Sequence, residues 1–428
     1  MSQDMQNVLL LLLRLDPKNP TLLRFNSVSE LQSDDQQLMI GILDLSHKKT
    51  STPMTALRLD GARKDNYNSA LAGMNDILKY FYGHEKDNKV GYINMPYSLN
   101  EENKKKIFKN IIDVGGEINA LLSRGDSPLK NWLENTLVSE SNSKIRPHQN
   151  VTIITNEFAI PWFWINRGRH DFFLCETCAL GMNQLELKSN LNLNQKNEGS
   201  FKDEFQKDID IRALFINGSS ELPFANEEVK RITEIIESCE SSVIKKSLCR
   251  SLKVEKVSSI NDLNKIVNSF NCDKELIDQF KILHFSGHYS DENLMINENR
   301  INTERLLSPI IQNSLLILDG CSSSRSVSGW SGVGGITSQM INHGAIGCLA
   351  TVLPVKNDPI IGSIFWKEFY RSFVFFQYPV GQSLLNARKK LRDHFRSLNS
   401  EDPTWLFYQL IGSPSTKMFE DDDTLETT

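Results

Sequence analysis

The sequence has no apolar run long enough to cross a membrane and little excess of charge of either sign. The longest apolar run near the start, VLLLLLRLD, is shorter than the roughly 20 residues that span a bilayer, and it lacks the basic start and cleavage site of a signal peptide. With 48 Lys and Arg against 53 Asp and Glu, the formal net charge is -5. We therefore predict a cytoplasmic protein that works without a membrane or direct nucleic-acid contact and has a protein as its partner.

Cysteine is also sparse, with 7 residues scattered over the 428 positions. A small disulfide scaffold has a dense and even set of cysteines, so we predict reduced thiols here. Cys175 and Cys178 form a CxxC pair, but no second pair completes a zinc site, and the surrounding FFLCETCAL is typical of a strand. Packing is the favoured interpretation of this pair, and a redox or metal role is the alternative.

A phosphate-binding loop is absent as well. The glycine-rich segment GWSGVGG lacks the Gly-Lys-Ser/Thr ending that such a loop requires, so it predicts a flexible loop before a helix rather than a nucleotide site. With 39% hydrophobic and 24% charged residues, the chain is long enough for a large folded core. Composition and patterning divide it into an extension at 1–60, a first half at 61–187, a polar linker or loop at 188–208, a second half at 209–417 and an acidic tail at 418–428.

The second half alternates short β-rich runs with amphipathic helices. Strands are predicted at 211–218, 251–258, 281–288, 314–321, 345–355 and 404–412, and helices at 226–240, 260–271, 333–343, 359–376 and 380–397. This alternation predicts an α/β fold with a mostly parallel sheet covered on both faces. In such sheets the chemistry is found at the carboxyl ends of the strands.

Two potentially reactive side chains follow two successive strands of this half. KILHFSGH ends in His288, and SLLILDGC ends in Cys321. A cysteine becomes a useful nucleophile when a nearby base accepts its proton, and small neighbours allow a substrate backbone to approach. The spacing alone leaves open whether the two side chains meet, because single cysteines and histidines are most often packing residues.

The same segments resemble a known family. ILHFSGH, LLILDGCSS, SGVGGITSQMINHGAIGCLATVLPVKNDP and WLFYQLIGSP are similar to the CHAT family of caspase-like cysteine peptidases, and the GCSS region also resembles separase. IITNEFAIPWFWI and DFFLCETCALGM resemble the first, non-catalytic half of CHAT domains. The resemblance covers roughly 90–417. It implies a three-layer α/β/α sandwich with a pseudo-caspase half before a catalytic half.

The resemblance also implies a Cys321/His288 dyad that requires no metal and no cofactor. Cys321 would attack the scissile carbonyl, while His288 would activate the thiol or protonate the leaving amine. The oxyanion would be held by the backbone N–H of Cys321 and by one beside His288, from Gly287 or Tyr289. Tyr289 stands where many relatives have glycine, and the gap of 321 − 288 = 33 residues is shorter than in caspases, whose QACRG segment is absent.

Two acidic residues are candidate substrate contacts. In the separase-like reading, Asp358 would line the pocket for an Arg or Lys before the cut bond through a charge-assisted pair. Alternatively, Asp358 caps a helix that starts at Pro359. Asp319 would point into the same pocket or brace its turn. His284 shares a strand face with His288, and we interpret it as a core or supporting histidine.

The function implied by the resemblance is a CHAT-type endopeptidase acting on one or a few protein substrates. Prokaryotic members of this family often serve in antiviral defence or regulated cell death, with a separate activator or regulatory protein. A catalytically silent scaffold that binds a protein or signalling ligand is the alternative, and Tyr289 is the residue that supports it.

Overall fold

The computed structural model describes most of the two predicted halves. The described residues are 6–16, 19–23, 37–44, 55–59, 61–82, 99–124, 128–137, 149–156, 160–167, 173–184, 211–218, 227–234, 252–272, 280–287, 289–290, 293–297, 299–301, 308–320, 336–355 and 358–418. None of the helices within these residues has the length and apolar content of a membrane-spanning segment. The predicted linker at 188–208, the GWSGVGG loop and nearly all of the acidic tail lie outside them.

Fifteen strands are present in the described residues. They are β1 (Gln6–Asp16), β2 (Asn19–Leu23), β3 (Gln37–Asp44), β4 (Thr55–Arg58), β5 (Gln149–Thr155), β6 (Ala179–Gln184), β7 (Ile211–Asn217), β8 (Leu252–Val257), β9 (Phe280–Ser286), β10 (Tyr289–Ser290), β11 (Asn293–Ile296), β12 (Asn299–Ile301), β13 (Leu315–Asp319), β14 (Gly347–Thr351) and β15 (Tyr408–Gly412). Twelve of them form one sheet, and β10, β11 and β12 form a small second sheet.

The helices are placed between these strands. They are α1 (Gly61–Tyr82), α2 (Glu101–Ser123), α3 (Pro128–Thr136), α4 (Leu174–Thr177), α5 (227–234), α6 (Ile260–Cys272), α7 (Ser308–Ile311), α8 (Ile336–Asn342), α9 (359–375) and α10 (Val380–Ser397). Within α9, Ile361–Trp366 and Arg371–Phe375 have the wider π winding. Such π turns are rare in proteins, and those that occur are often found near functional sites.

The large sheet joins two blocks of strands. Its order is β4-β3-β1-β5-β6-β15-β14-β13-β9-β7-β8, with β2 paired to β1. The run from β14 to β8 is parallel throughout, and β15 joins it antiparallel to β14 and parallel to β6. Every residue of β9, β13, β14 and β15 is buried, so both faces of the sheet are covered there. The predicted α/β class with a mostly parallel sheet is confirmed.

The second half has a strand order that predicts the position of a site. Numbered from β7 as the first strand, the parallel strands lie in the order 2-1-3-4-5. In this doubly wound order, ligands bind outside the carboxyl ends of the strands, near the point where the order reverses. Here the order reverses between β7 and β9, and β13 ends beside β9.

The first 60 residues contribute strands to this same sheet. The leucine-rich run forms β1, which pairs antiparallel with β3 and parallel with β5. Leu10 and Leu12 are fully buried. The extension predicted at 1–60 is thus hydrogen-bonded to the strand Gln149–Thr155 of the first half.

The prediction of strand for the whole CxxC segment is wrong in part. Leu174–Thr177 forms the short helix α4, and strand β6 begins only at Ala179. The turn closes because the Glu176 carboxylate accepts a hydrogen bond from the Phe173 N–H at 3.0 Å, and the Cys178 N–H donates to the Leu174 carbonyl at 3.0 Å. A side chain that caps its own turn favours helix over strand.

Candidate functional site

The ends of β9 and β13 are joined at the predicted functional edge. The strands are parallel neighbours, with Asp319 opposite Ser286 at their last paired position. Beyond the ladder, the Gly287 N–H donates to the Asp319 carbonyl at 3.1 Å. The two chain segments therefore leave the sheet side by side.

The two candidate catalytic residues themselves lie outside the described residues. His288 is bonded directly to Gly287, and Cys321 directly to Gly320, so each is the next residue after a described end of this edge. The backbone of Tyr289 begins strand β10, which pairs with β11. The dyad remains a prediction.

The hydrogen bond of Gly287 changes one predicted role. Its N–H is directed at the Asp319 carbonyl, so it is not free to bind the oxyanion as the sequence predicts. Glycine is required here for a packing reason, since a Cβ on Gly287 would lie 2.7 Å from the Gly218 Cα and 2.8 Å from a Phe285 ring carbon. The ends of β7 and β9 approach each other too closely for any larger residue.

The backbone of Gly320, the residue before Cys321, is also fixed by a hydrogen bond. The Thr351 hydroxyl, on the neighbouring strand β14, donates a short hydrogen bond to the Gly320 carbonyl. Thr351 is fully buried. Gly320, the last described residue before the predicted nucleophile, is thus hydrogen-bonded to the adjacent strand.

A buried polar cluster lies behind this edge. His284 of β9 is fully buried, and its Nε2 lies 3.1 Å from Oε1 of Glu228 on α5. This pair lacks the alignment of a hydrogen bond, and within the described part of the chain neither atom has another hydrogen-bond partner. The other ring nitrogen, Nδ1, lies 2.7 Å from the Tyr370 hydroxyl. Sequence reasoning placed His284 in the core, and the structure adds these polar neighbours.

Asp319 completes the cluster. Its Oδ2 accepts a hydrogen bond from the Trp366 indole N–H at 2.8 Å, and its Oδ1 accepts one from the Tyr408 hydroxyl at 3.0 Å. The carboxylate is therefore bound by α9 and β15 in the interior, which supports the bracing role among its two predicted alternatives. One ligand atom each from Glu228, His284 and Asp319 lies within 4.8 Å of the others, a spacing that could hold a metal ion.

Burial dominates the acid–base properties of this cluster. It raises the pKa of Glu228 to about 8, although hydrogen bonding with Asp319 acts the other way. It raises the pKa of Asp319 to about 7, with the charge of Glu228 adding to the rise. It lowers the pKa of His284 to about 4. Burial therefore favours a neutral imidazole and protonated carboxyl groups in this cluster.

Asp358 occupies the start of α9. Its Oδ1 accepts a hydrogen bond from the Ile360 N–H at 2.9 Å, and its carbonyl accepts one from the Ile361 N–H at 3.0 Å. This is the geometry of a helix N-cap, with Pro359 in the first helical position. The capping alternative of the sequence analysis is thus observed, and the pocket role stays a proposal.

The CxxC pair is deep in the core. Cys175 and Cys178 are buried, and burial raises the pKa of the Cys175 thiol to about 12. A thiol this hard to deprotonate is a poor nucleophile. These values support the packing interpretation.

The sequence alone does not predict the contacts of Glu228, Trp366 and Tyr370. All three were treated as parts of helices, and they are separated from Asp319 and His284 by dozens of residues. One signal was available, since Glu228 stands beside Val229 and four residues before Ile232, on a face that turns out to be buried. A carboxylate on an apolar helix face requires a partner.

Comparisons with known proteins found likeness only among solved structures. No protein-family model and no curated protein matches the sequence. The Arg-specific cysteine proteinase gingipain R aligns at 10% identity and a TM-score of 0.43, over 67% of this chain and 68% of that chain. A structure described as a protease aligns at 10% identity and a TM-score of 0.43, over 83% of this chain and 76% of that chain. The function of this chain is therefore inferred from its own residues.

Proposed function

We propose that this chain is a cysteine endopeptidase in which Cys321 is the nucleophile and His288 is its base. The observation that carries the proposal is the joined ends of β9 and β13, because each candidate lies two residues beyond the end of one of these strands. Parallel neighbours that end together give two rigid supports at the edge where α/β sheets bind ligands. The closing bond from Gly287 to Asp319 keeps those supports in register.

The chemistry follows from these residue types. His288 accepts the thiol proton, the Cys321 sulfur bonds to the scissile carbonyl carbon, and the proton passes to the leaving amine as the C–N bond breaks. Water, deprotonated by the same imidazole, then hydrolyses the thioester and frees the thiol. The N–H groups of Cys321 and Tyr289 are the candidate oxyanion donors, since that of Gly287 is bonded elsewhere.

The sequence resemblance supports membership of the CHAT family. In this proposal, 61–187 is the pseudo-caspase half and 209–417 is the catalytic half, and the observed 2-1-3-4-5 strand order of the second half is compatible with it. The substrates would be one or a few proteins cut after Arg or Lys. The biological role would be regulated proteolysis in prokaryotic antiviral defence or cell death, controlled by a separate activator.

A thiol-directed active-site probe tests the dyad. We expect the probe to label the wild-type chain, to lose that label in Cys321→Ala and to label His288→Ala far more slowly, because a base that accepts a proton contributes roughly 10²–10⁴-fold. The label is measured by intact mass spectrometry, with any activating partner or lysate included.

Cys348→Ala is the matched control. Cys348 lies on β14, next to β13, and burial raises the pKa of its thiol, so its removal should leave labelling unchanged. Equal labelling of wild type and His288→Ala would contradict the peptidase. It would favour the alternative, a catalytically silent scaffold that binds a protein or signalling ligand.

A further inference from the structure

We propose that Glu228, His284 and Asp319 bind one divalent transition-metal cation such as Zn²⁺. The ion would lie in the core, next to the carboxyl ends of β9 and β13. The site would be structural. It is separate from the peptidase chemistry, which needs no metal, and it does not depend on that proposal being right.

The donor set suits such an ion. One imidazole nitrogen and two carboxylate oxygens form a mixed N/O set, which favours borderline cations over Ca²⁺ or Mg²⁺. Two donors on a tetrahedral Zn²⁺ are about 3.4 Å apart, given bonds of about 2.1 Å. The contact between His284 Nε2 and Glu228 Oε1 is 3.1 Å, and the three ligand atoms lie within 4.8 Å of one another. A side-chain shift of about 1 Å would bring them around one ion.

Two of these donor atoms have nothing else to bind. Glu228 is 5% exposed and His284 is 0% exposed, and within the described residues Oε1 of Glu228 and Nε2 of His284 form no hydrogen bond. A buried polar atom without a partner is destabilising, and more so when it is charged. These two atoms lie 3.1 Å apart, so a cation bound by both would satisfy both at once.

The surrounding groups are arranged as supports for metal ligands. A histidine that binds metal through one nitrogen usually donates its other N–H to an oxygen, and His284 Nδ1 lies 2.7 Å from the Tyr370 hydroxyl. The Asp319 carboxylate is fixed by Trp366 and Tyr408. These contacts set the orientation of both side chains before any ion arrives.

Charge balance also favours a cation. Glu228 and Asp319 are buried and lie close together, so their negative charges would repel each other among aromatic rings. The Phe215 and Tyr370 rings stack on His284, and the Trp366 ring meets it edge-on at 5.0 Å. A dication neutralises both carboxylates and releases their protons. The bound ion would link α5 to β9 and β13, the strands that precede His288 and Cys321.

Metal analysis of the full chain tests the site. The protein is purified through a tag without histidine, analysed by mass spectrometry for metals, stripped with a chelator and titrated with ZnCl₂ alone by calorimetry. We expect a single buried ion per chain and a higher melting temperature on adding Zn²⁺. Glu228→Gln should lose this ion. Glu234→Gln is the matched control, since it removes the same charge from the exposed end of the same helix and should keep the ion.

Two more variants make the result decisive. Tyr370→Phe keeps every ligand and should weaken Zn²⁺ binding roughly 10–100-fold, even if Glu228→Gln fails to fold. A double change of Cys175 and Cys178 to alanine should leave Zn²⁺ binding intact. The proposal is overturned if the stripped chain takes up no Zn²⁺, if Glu228→Gln binds it as the wild type does, or if the cysteine variant abolishes it.

Discussion

At the scale of single residues, Thr351 contacts the backbone of the residue before the proposed nucleophile. Its hydroxyl donates to the Gly320 carbonyl from the neighbouring strand. We expect Thr351→Val to slow labelling of Cys321 about tenfold, because small misplacements of a reacting group are costly. Loss of one hydrogen bond should reduce the free energy of unfolding by only about 1 kcal/mol.

Thr351→Ser separates positioning from simple destabilisation. Serine keeps the hydroxyl donor and loses only a methyl group, so its labelling rate should remain close to that of the wild type. Both variants are compared by labelling kinetics and by urea unfolding. A Val variant that labels as fast as the wild type would show that Gly320 needs no such support.

At the scale of elements, Asp358 at the start of α9 has two candidate roles, capping the helix and binding a substrate Arg or Lys. The carboxylate caps this helix through the Ile360 N–H. Asp358→Asn keeps an oxygen acceptor at the cap but removes the charge, so the helix should lose little stability. If Asp358 also selects Arg or Lys, the preference for those residues in a peptide-library cleavage profile should fall roughly 10–100-fold, as expected when a charge-assisted hydrogen bond is lost.

Asp358→Ala is the companion variant. It removes the cap and should cost about 1 kcal/mol of unfolding free energy. An unchanged cleavage profile in Asp358→Asn would leave capping as the role of this residue. A wild-type preference for aspartate before the cut would also contradict the pocket, since two carboxylates repel each other.

At the scale of the whole molecule, the first strands are part of the main sheet. β1 pairs with β3 on one side and with β5 on the other. A chain that begins at residue 61 should expose the edge of β5 and lose the packing of Leu10 and Leu12, both fully buried. We expect it to aggregate or to elute as large oligomers in size-exclusion chromatography with light scattering.

A truncation at the other end provides the control. A chain that ends at Met418 loses only residues beyond the described part of the chain and keeps Met418 itself, which is buried. It should elute like the full-length chain. A stable monomer that begins at residue 61 would show that β5 tolerates an open edge.

Local patterns in the sequence predict most helices and strands of the second half. The predicted helix at 380–397 is α10, Val380–Ser397, and the predicted strands near 251–258 and 281–288 are β8 and β9. Their signals are local, since apolar periodicity and flanking small residues depend on neighbours in the chain. The same patterns also supplied the two candidates, His288 and Cys321, and their positions after strands.

Contacts between residues far apart in the chain depend on the folded arrangement of the elements. Glu228, His284, Asp319 and Tyr370 come from two helices and two strands, and no local pattern links them. Tertiary pairing also places β1 inside the sheet. Its partner β5 lies more than a hundred residues away in the chain, so no local pattern predicts this pairing. The Gly287 N–H was bonded to Asp319 for the same reason, since the partner of a backbone donor depends on which strand lies beside it.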